Sequence, residues 1–174
     1  MRHIFCNLTY PVKEVCLMKT KTKNWIKCVA IPLAVGGVAG FLTMGGMKAF
    51  QLMKQPPLSP PQWLFPIVWT VLYVLMGLAS CKIKYGNAGE QERADALTIY
   101  YAQLIVNFLW PVFFFNFQWY LFSFLWLLLL WILVYKMIQS FFRIAPKAAY
   151  LCVPYLVWLT FAAYLNFGVW WLNR

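Results

Sequence analysis

The chain has 174 residues, 63% hydrophobic, 20% aromatic and only 11% charged, and its fifteen Lys and Arg against four Asp and Glu give a net charge of +11. A soluble domain of this length carries about a quarter charged residues, so the composition excludes that class and points to a membrane. Four acids (Glu14, Glu90, Glu92, Asp95), one histidine (His3) and five cysteines without a C-x-x-C pair (Cys6, Cys16, Cys28, Cys81, Cys152) offer neither conventional acid–base catalysis nor a metal centre.

In chain order, residues 1–24 form a basic extension (Arg2, Lys13, Lys19, Lys21, Lys23) in which no packed structure is expected. Met18, ahead of Lys19-Thr-Lys-Thr-Lys23, reads as a second natural start. The apolar run over 25–46 also resembles a signal peptide in its basic flank, but its length of about twenty residues spans lipid, and it is read as a retained helix 1. Gly36 and Gly40, four apart, give that helix a face for close packing. Pro56, Pro57, Pro60 and Pro61 then enforce an extended loop. Helix 2 is expected over 64–82, with Pro66 in its first turn and Trp69, Tyr73 and Gly77 on one face.

A solvent-exposed link holding Gly86, Gly89 and two of the four acids, Glu90 and Glu92, leads to helix 3, over 94–115. There Gln103, Asn107, Trp110 and Phe114 recur on one face, and Pro111 is expected to kink the helix and free a carbonyl near residue 107. A turn at 116–118 makes helix 4, over 119–137, an antiparallel neighbour. A basic turn closed by Pro146 precedes helix 5, over 148–171, where Trp158, Ala162 and Asn166 share a face beside Leu165. The fold class is therefore an all-α membrane protein, a bundle of five transmembrane helices. Twelve cations fall at the amino terminus or in the 2–3 and 4–5 connections, counting Lys27, Lys82 and Lys136 at the adjoining helix ends, and three on the other side (Lys48, Lys54, Arg174), which is expected to place the amino terminus in the cytoplasm. No basic face with interleaved polar groups exists, so nucleic-acid binding is not expected.

An asparagine facing lipid leaves its amide unpaired at a cost of a few kcal/mol, so Asn107 and Asn166 should face inward. Two readings remain open from the residues alone: the amides bond helices together, or they meet a ligand. Trp25, Trp63, Trp119, Trp170 and Trp171 suit the membrane interface, Trp126 and Trp131 could face lipid or another subunit, and Trp69, Trp110 and Trp158 combine a mid-helix position with an inward face. A pocket of aromatic faces, small residues and few amides suits a flat, mainly apolar ligand such as a porphyrin.

The run Pro60-Pro61-x-Trp63-x4-Val68-Trp69-x2-Leu72-Tyr73-x2-Met76-Gly77, with Gln103-Leu-Ile-Val-Asn107-Phe-Leu-Trp110-Pro111 and Pro154-Tyr155-Leu-Val-Trp158 continuing to Asn166, resembles the TspO/MBR family of tryptophan-rich sensory and translocator proteins. The resemblance covers residues 25–173. It implies a ligand site at Trp69, Tyr73, Gln103, Asn107, Trp110, Trp158, Ala162, Leu165 and Asn166, a homodimer, and binding of tetrapyrroles such as haem and protoporphyrin, without a resident cofactor. It also implies a multi-pass protein of the bacterial cell membrane.

Three departures stand out. Leu58 occupies the place of a loop tryptophan, Trp126 that of a helix 4 aspartate, and the sterol motif of animal members is absent because the first cation after Tyr164 is Arg174. Lys147-Ala-Ala-Tyr150-Leu-Cys-Val153 matches only its weak reversed form. A binding and sensory role leads. Light- and oxygen-dependent porphyrin degradation is the enzyme-class alternative, and transport of porphyrin or sterol-like ligands ranks last because five helices hold no two equal inverted halves.

Overall fold

The computed structural model describes residues 10–50 and 52–174, with side chains from residue 23 onward apart from 48, 49 and 51. Five long helices account for most of it: α1 Tyr10–Phe50, α2 Leu64–Lys84, α3 Glu90–Pro111, α4 Tyr120–Ile144 and α5 Pro146–Leu172, with a π turn, Val112–Asn116, extending α3. Each contains an apolar stretch long enough to cross a membrane. The protein is thus an all-α, five-span membrane bundle.

Helix ends differ from the expected ones where hydropathy and helicity part company. α1 begins at Tyr10 rather than Trp25, and its membrane-length portion is Lys23–Met47. No glycine or proline interrupts 13–31, so nothing in the sequence stops the helix where the lipid ends. Residues 1–9 lie outside the described residues. α4 continues to Ile144 through the stretch read as a basic turn, with Arg143 in its last turn where a cation meets the negative end of the helix dipole. α3 starts four residues early, with Glu90 and Glu92 in its first turn. Pro111 closes α3 and the chain widens into the π turn, the local adjustment that a proline forces on the hydrogen-bond ladder.

The helices pack in the cyclic order α1, α2, α5, α4, α3, with α1 closing the ring on α3 and its π turn. Met76, Ala79, Tyr100, Leu127, Leu130, Val134, Met137, Phe141, Cys152 and Tyr155 fill the interior. Three threonine hydroxyls are satisfied within their own helices: Thr43 donates to the Ala39 carbonyl at 2.8 Å, Thr70 to Pro66 at 2.7 Å and Thr160 to Leu156 at 3.0 Å. At least one lysine or arginine lies at each of the five helix ends on one side of the bundle (Lys23, Lys27, Lys82, Lys84, Arg93, Arg143, Lys147), which we call the basic end; the proline loop lies at the other.

Glycines set the distance between α1 and α2. A Cβ at Gly77 would lie 2.6 Å from Val29 Cα and 2.9 Å from the Cys28 carbonyl oxygen, and one at Gly36 would overlap the Tyr73 ring. Gly36 and Gly40 therefore do not share a free face, because Gly36 is used within the chain; Gly37 and Gly40 have open space. Gly77→Val should consequently destabilise the bundle by about 1–3 kcal/mol. Gly40→Val should leave the thermal midpoint of detergent-solubilised protein nearly unchanged. Equal midpoints for the two variants would contradict the close α1–α2 contact.

Candidate functional site

The middle of the bundle holds a continuous chain of uncharged polar side chains linking α2, α3 and α5. Tyr73 donates its hydroxyl proton to Asn107 Oδ1 at 2.8 Å. Asn107 Nδ2 donates to the Tyr155 hydroxyl at 2.5 Å, which donates in turn to Gln103 Oε1 at 3.1 Å. Gln103 Nε2 ends the chain on the Met76 sulfur at 3.7 Å. All five side chains are buried, Met76, Gln103 and Tyr155 completely. Gln103 and Asn107, four residues apart, reach Tyr155 from successive turns of one face. Every strong donor in the chain has an acceptor, as hydrocarbon demands.

Aromatic rings surround this relay on the α2–α5 side. Trp69 lies tilted on Tyr73, centroids 5.5 Å apart, and edge-on to Tyr155 at 6.1 Å. One turn away, Phe65 meets Trp158 edge-on at 5.9 Å, and Phe161 flanks Trp158 at 5.6 Å. Trp158 differs from the relay residues beside it: its Nε1–H is buried and has no hydrogen-bond partner.

A second polar cluster joins α3, α4 and α5. The Asn166 amide, oriented so that each end meets its complement, accepts from Trp110 Nε1 at 3.1 Å and from the Phe124 amide at 3.3 Å, and donates to the Tyr120 carbonyl at 2.8 Å. Trp110 stacks on Phe114 with centroids 5.2 Å apart. Ala162 and Leu165 are buried on α5 between the two clusters.

The expected residues thus separate into groups. Trp69, Tyr73, Gln103 and Asn107 come together around the relay, Trp110 and Asn166 form the second cluster, and Trp158 stands beside the first. Both asparagines face inward, towards different partners rather than each other. Sequence reasoning missed Tyr155, the link between Asn107 and Gln103. Its signal was a tyrosine three residues before Trp158, whose hydroxyl needs a partner once inside a membrane. Met76 carried no such signal.

Trp126, in the place of the expected acid, is half-buried and donates to the Val106 carbonyl at 2.8 Å, and Trp131 donates to Thr160 Oγ1 at 2.9 Å, so both tie α4 to neighbouring helices. Leu58 is 81% exposed at the tip of the proline loop, in the left-handed region at φ 66°. That loop is held down by Tyr164 donating to the Pro57 carbonyl at 2.9 Å, by Asn173 and Lys54 bonding in both directions, and by Pro56 seated against Gly168. Among the described residues no three His, Cys, Asp or Glu side chains converge as a metal site would require.

A five-helix membrane bundle with an aromatic and amide interior is the class of protein that fold and site define. A sequence model of the TspO/MBR family matches residues 28–172, and the chain belongs to that family. It is 35% identical over 147 residues to the tryptophan-rich protein TspO of Chlorobaculum tepidum, covering 84% of this chain and 93% of the relative. Protein CrtK of Rhodobacter capsulatus is 35% identical over 144 residues, covering 82% and 89%. The translocator protein of Ovis aries is 32% identical over 155 residues, covering 86% and 92%.

The relay makes a stability prediction. Tyr155→Phe removes the bonds to both Asn107 and Gln103 and should cost about 1–3 kcal/mol, because two buried amide groups lose a partner. Asn107→Leu should cost a similar amount, and the double variant much less than the sum. Thermal melts of the three variants in detergent check this; strict additivity would mean that the two residues act separately.

Proposed function

We propose that the protein is a membrane sensor that binds a tetrapyrrole, haem or protoporphyrin, against the aromatic wall formed by Trp69, Phe65 and Trp158 between α2 and α5. The observation that carries this reading is the Trp158 indole N–H, buried without an acceptor among aromatic rings. A buried unpaired donor costs about 1–3 kcal/mol, and a ligand carbonyl or carboxylate placed there recovers it. Flat macrocycles match offset ring stacking on Trp69 and Trp158. The name "tryptophan-rich sensory protein", borne by a relative in Cereibacter sphaeroides that is 36% identical over 121 residues, agrees with a binding and signalling role.

In this reading Asn107 and Gln103 act one step back from the ligand. Their amides hold Tyr73 and Tyr155, and those rings in turn support Trp69. The proposal also places the basic end in the cytoplasm of a bacterial cell and includes a homodimer, for which the Gly37 and Gly40 side of α1 is the open surface. The contact of Trp69 with the hydrogen-bonded Tyr73 and Tyr155 favours one second reading, photo-oxidative breakdown of the bound porphyrin, since these are oxidisable side chains beside a photosensitiser.

Spectral titration of the purified protein with protoporphyrin tests the site. Trp158→Ala should weaken binding about tenfold or more. Trp158→Phe keeps a ring but removes the donor and should weaken it by roughly threefold to tenfold. Trp171→Ala, at the exposed end of α5, should bind as wild type does. Unchanged affinity in both Trp158 variants would refute the assignment. Absorbance loss in light but not in darkness, reduced in Trp69→Phe, would favour breakdown.

A further inference from the structure

A cleft of about 40 Å³ lies one helical turn beyond the relay, towards the basic end where α1, α2 and α3 meet, lined by Asn24, Lys27, Cys28, Ile31, Ser80, Lys84, Tyr85, Leu97, Tyr100 and Tyr101. Its chemistry divides by depth. Lys27 and Lys84 are exposed cations from two different helices, and the Lys84 ammonium sits 5.8 Å from the centroid of the neighbouring Tyr85 ring. Arg93 reaches back from α3 to the Lys84 carbonyl at 3.1 Å, which keeps a third cation beside the cleft. Deeper in, the Tyr100 hydroxyl is buried beside Ser80, in a residue only 1% exposed. The Ser80 hydroxyl nearby in the lining donates instead to the Gly77 carbonyl at 2.9 Å. Ile31 and Tyr101 are exposed on the outer surface of the bundle, where acyl chains run.

We propose that this cleft binds the phosphate of an anionic phospholipid headgroup. Two lysines neutralise the charge, the Tyr100 hydroxyl donates to a phosphate oxygen, and the lipid tails leave along Ile31 and Tyr101. A single water needs roughly 10–15 Å³ by the same measure, so the cleft admits a group of phosphate size and excludes a tetrapyrrole. Basic pockets between helices at a membrane surface favour anionic headgroups on electrostatic grounds. Cations on two helices and a hydroxyl on the third mean that a bound phosphate would clamp α1 to α2 and α3. This inference does not depend on the porphyrin reading.

Native mass spectrometry of the full chain released from nanodiscs of mixed phosphatidylglycerol and phosphatidylcholine tests it. Wild type should retain phosphatidylglycerol preferentially, and Lys27→Gln with Lys84→Gln should reduce that retention about tenfold. Tyr100→Phe, which changes no charge, should reduce it roughly threefold. Lys136→Gln with Lys147→Gln, which removes the same charge from exposed positions outside the cleft, should leave it unchanged. Equal losses in the two lysine pairs would mean diffuse surface attraction and overturn the site. So would full retention in both the Lys27/Lys84 pair and Tyr100→Phe. Displacement of the lipid by millimolar inorganic phosphate would overturn the lipid assignment in favour of a soluble phosphate ligand.

Discussion

Asn107 is the residue on which the interior depends. Inside hydrocarbon its amide cannot fall back on water, and a lost partner there is not replaced. Tyr73 from α2 and Tyr155 from α5 meet it from opposite sides, and Tyr155 passes the bonding on to Gln103. Three helices are thereby fixed in rotation as well as in distance, since a small rotation of any one would strand a donor. The apolar contacts around them stabilise the bundle but tolerate many registers. The amide does not.

That constraint propagates to the aromatic wall. Trp69 takes its position from Tyr73 and Tyr155, whose rings are pinned by their hydroxyls. Tyr73 also fills the space left by Gly36, so the approach of α1 is tied to the same residue. At the far end, Asn166 performs a comparable task for α3, α4 and α5 through Trp110 and the first turn of α4. Trp158 lies between these two fixed points and shares in neither network. An unpaired buried donor held between rigid supports is the arrangement expected of a recognition group, whose partner arrives from outside.

Much of this was legible in the sequence. Apolar runs of spanning length gave five helices, and steps of three and four residues put Trp69 with Tyr73, Gln103 with Asn107, and Trp158 with Asn166 on inward faces. Helix ends were less legible. Hydropathy marks where lipid stops, and α1 and α4 continue past that level because their polar residues favour helix equally well. The choice between amides that bond helices and amides that meet a ligand also required coordinates. Tyr155 shows why: its partner Gln103 lies 52 positions away, and no local pattern reports a bond across that separation. Gly36 makes the same point, because spacing shows that a face is small without showing which neighbour occupies it.

The central claim is that the Trp158 indole N–H meets the ligand. The most direct measurement is an indole N–H NMR spectrum of protein labelled with ¹⁵N-tryptophan, recorded with and without protoporphyrin, in which Trp158→Phe assigns one of the signals of the ten tryptophans. The account predicts that ligand shifts the Trp158 signal and slows exchange of its proton with water, as for a donor gaining an acceptor, while the Trp171 signal stays in place. A Trp158 signal that remains fixed while porphyrin binds and shifts other indoles would contradict it.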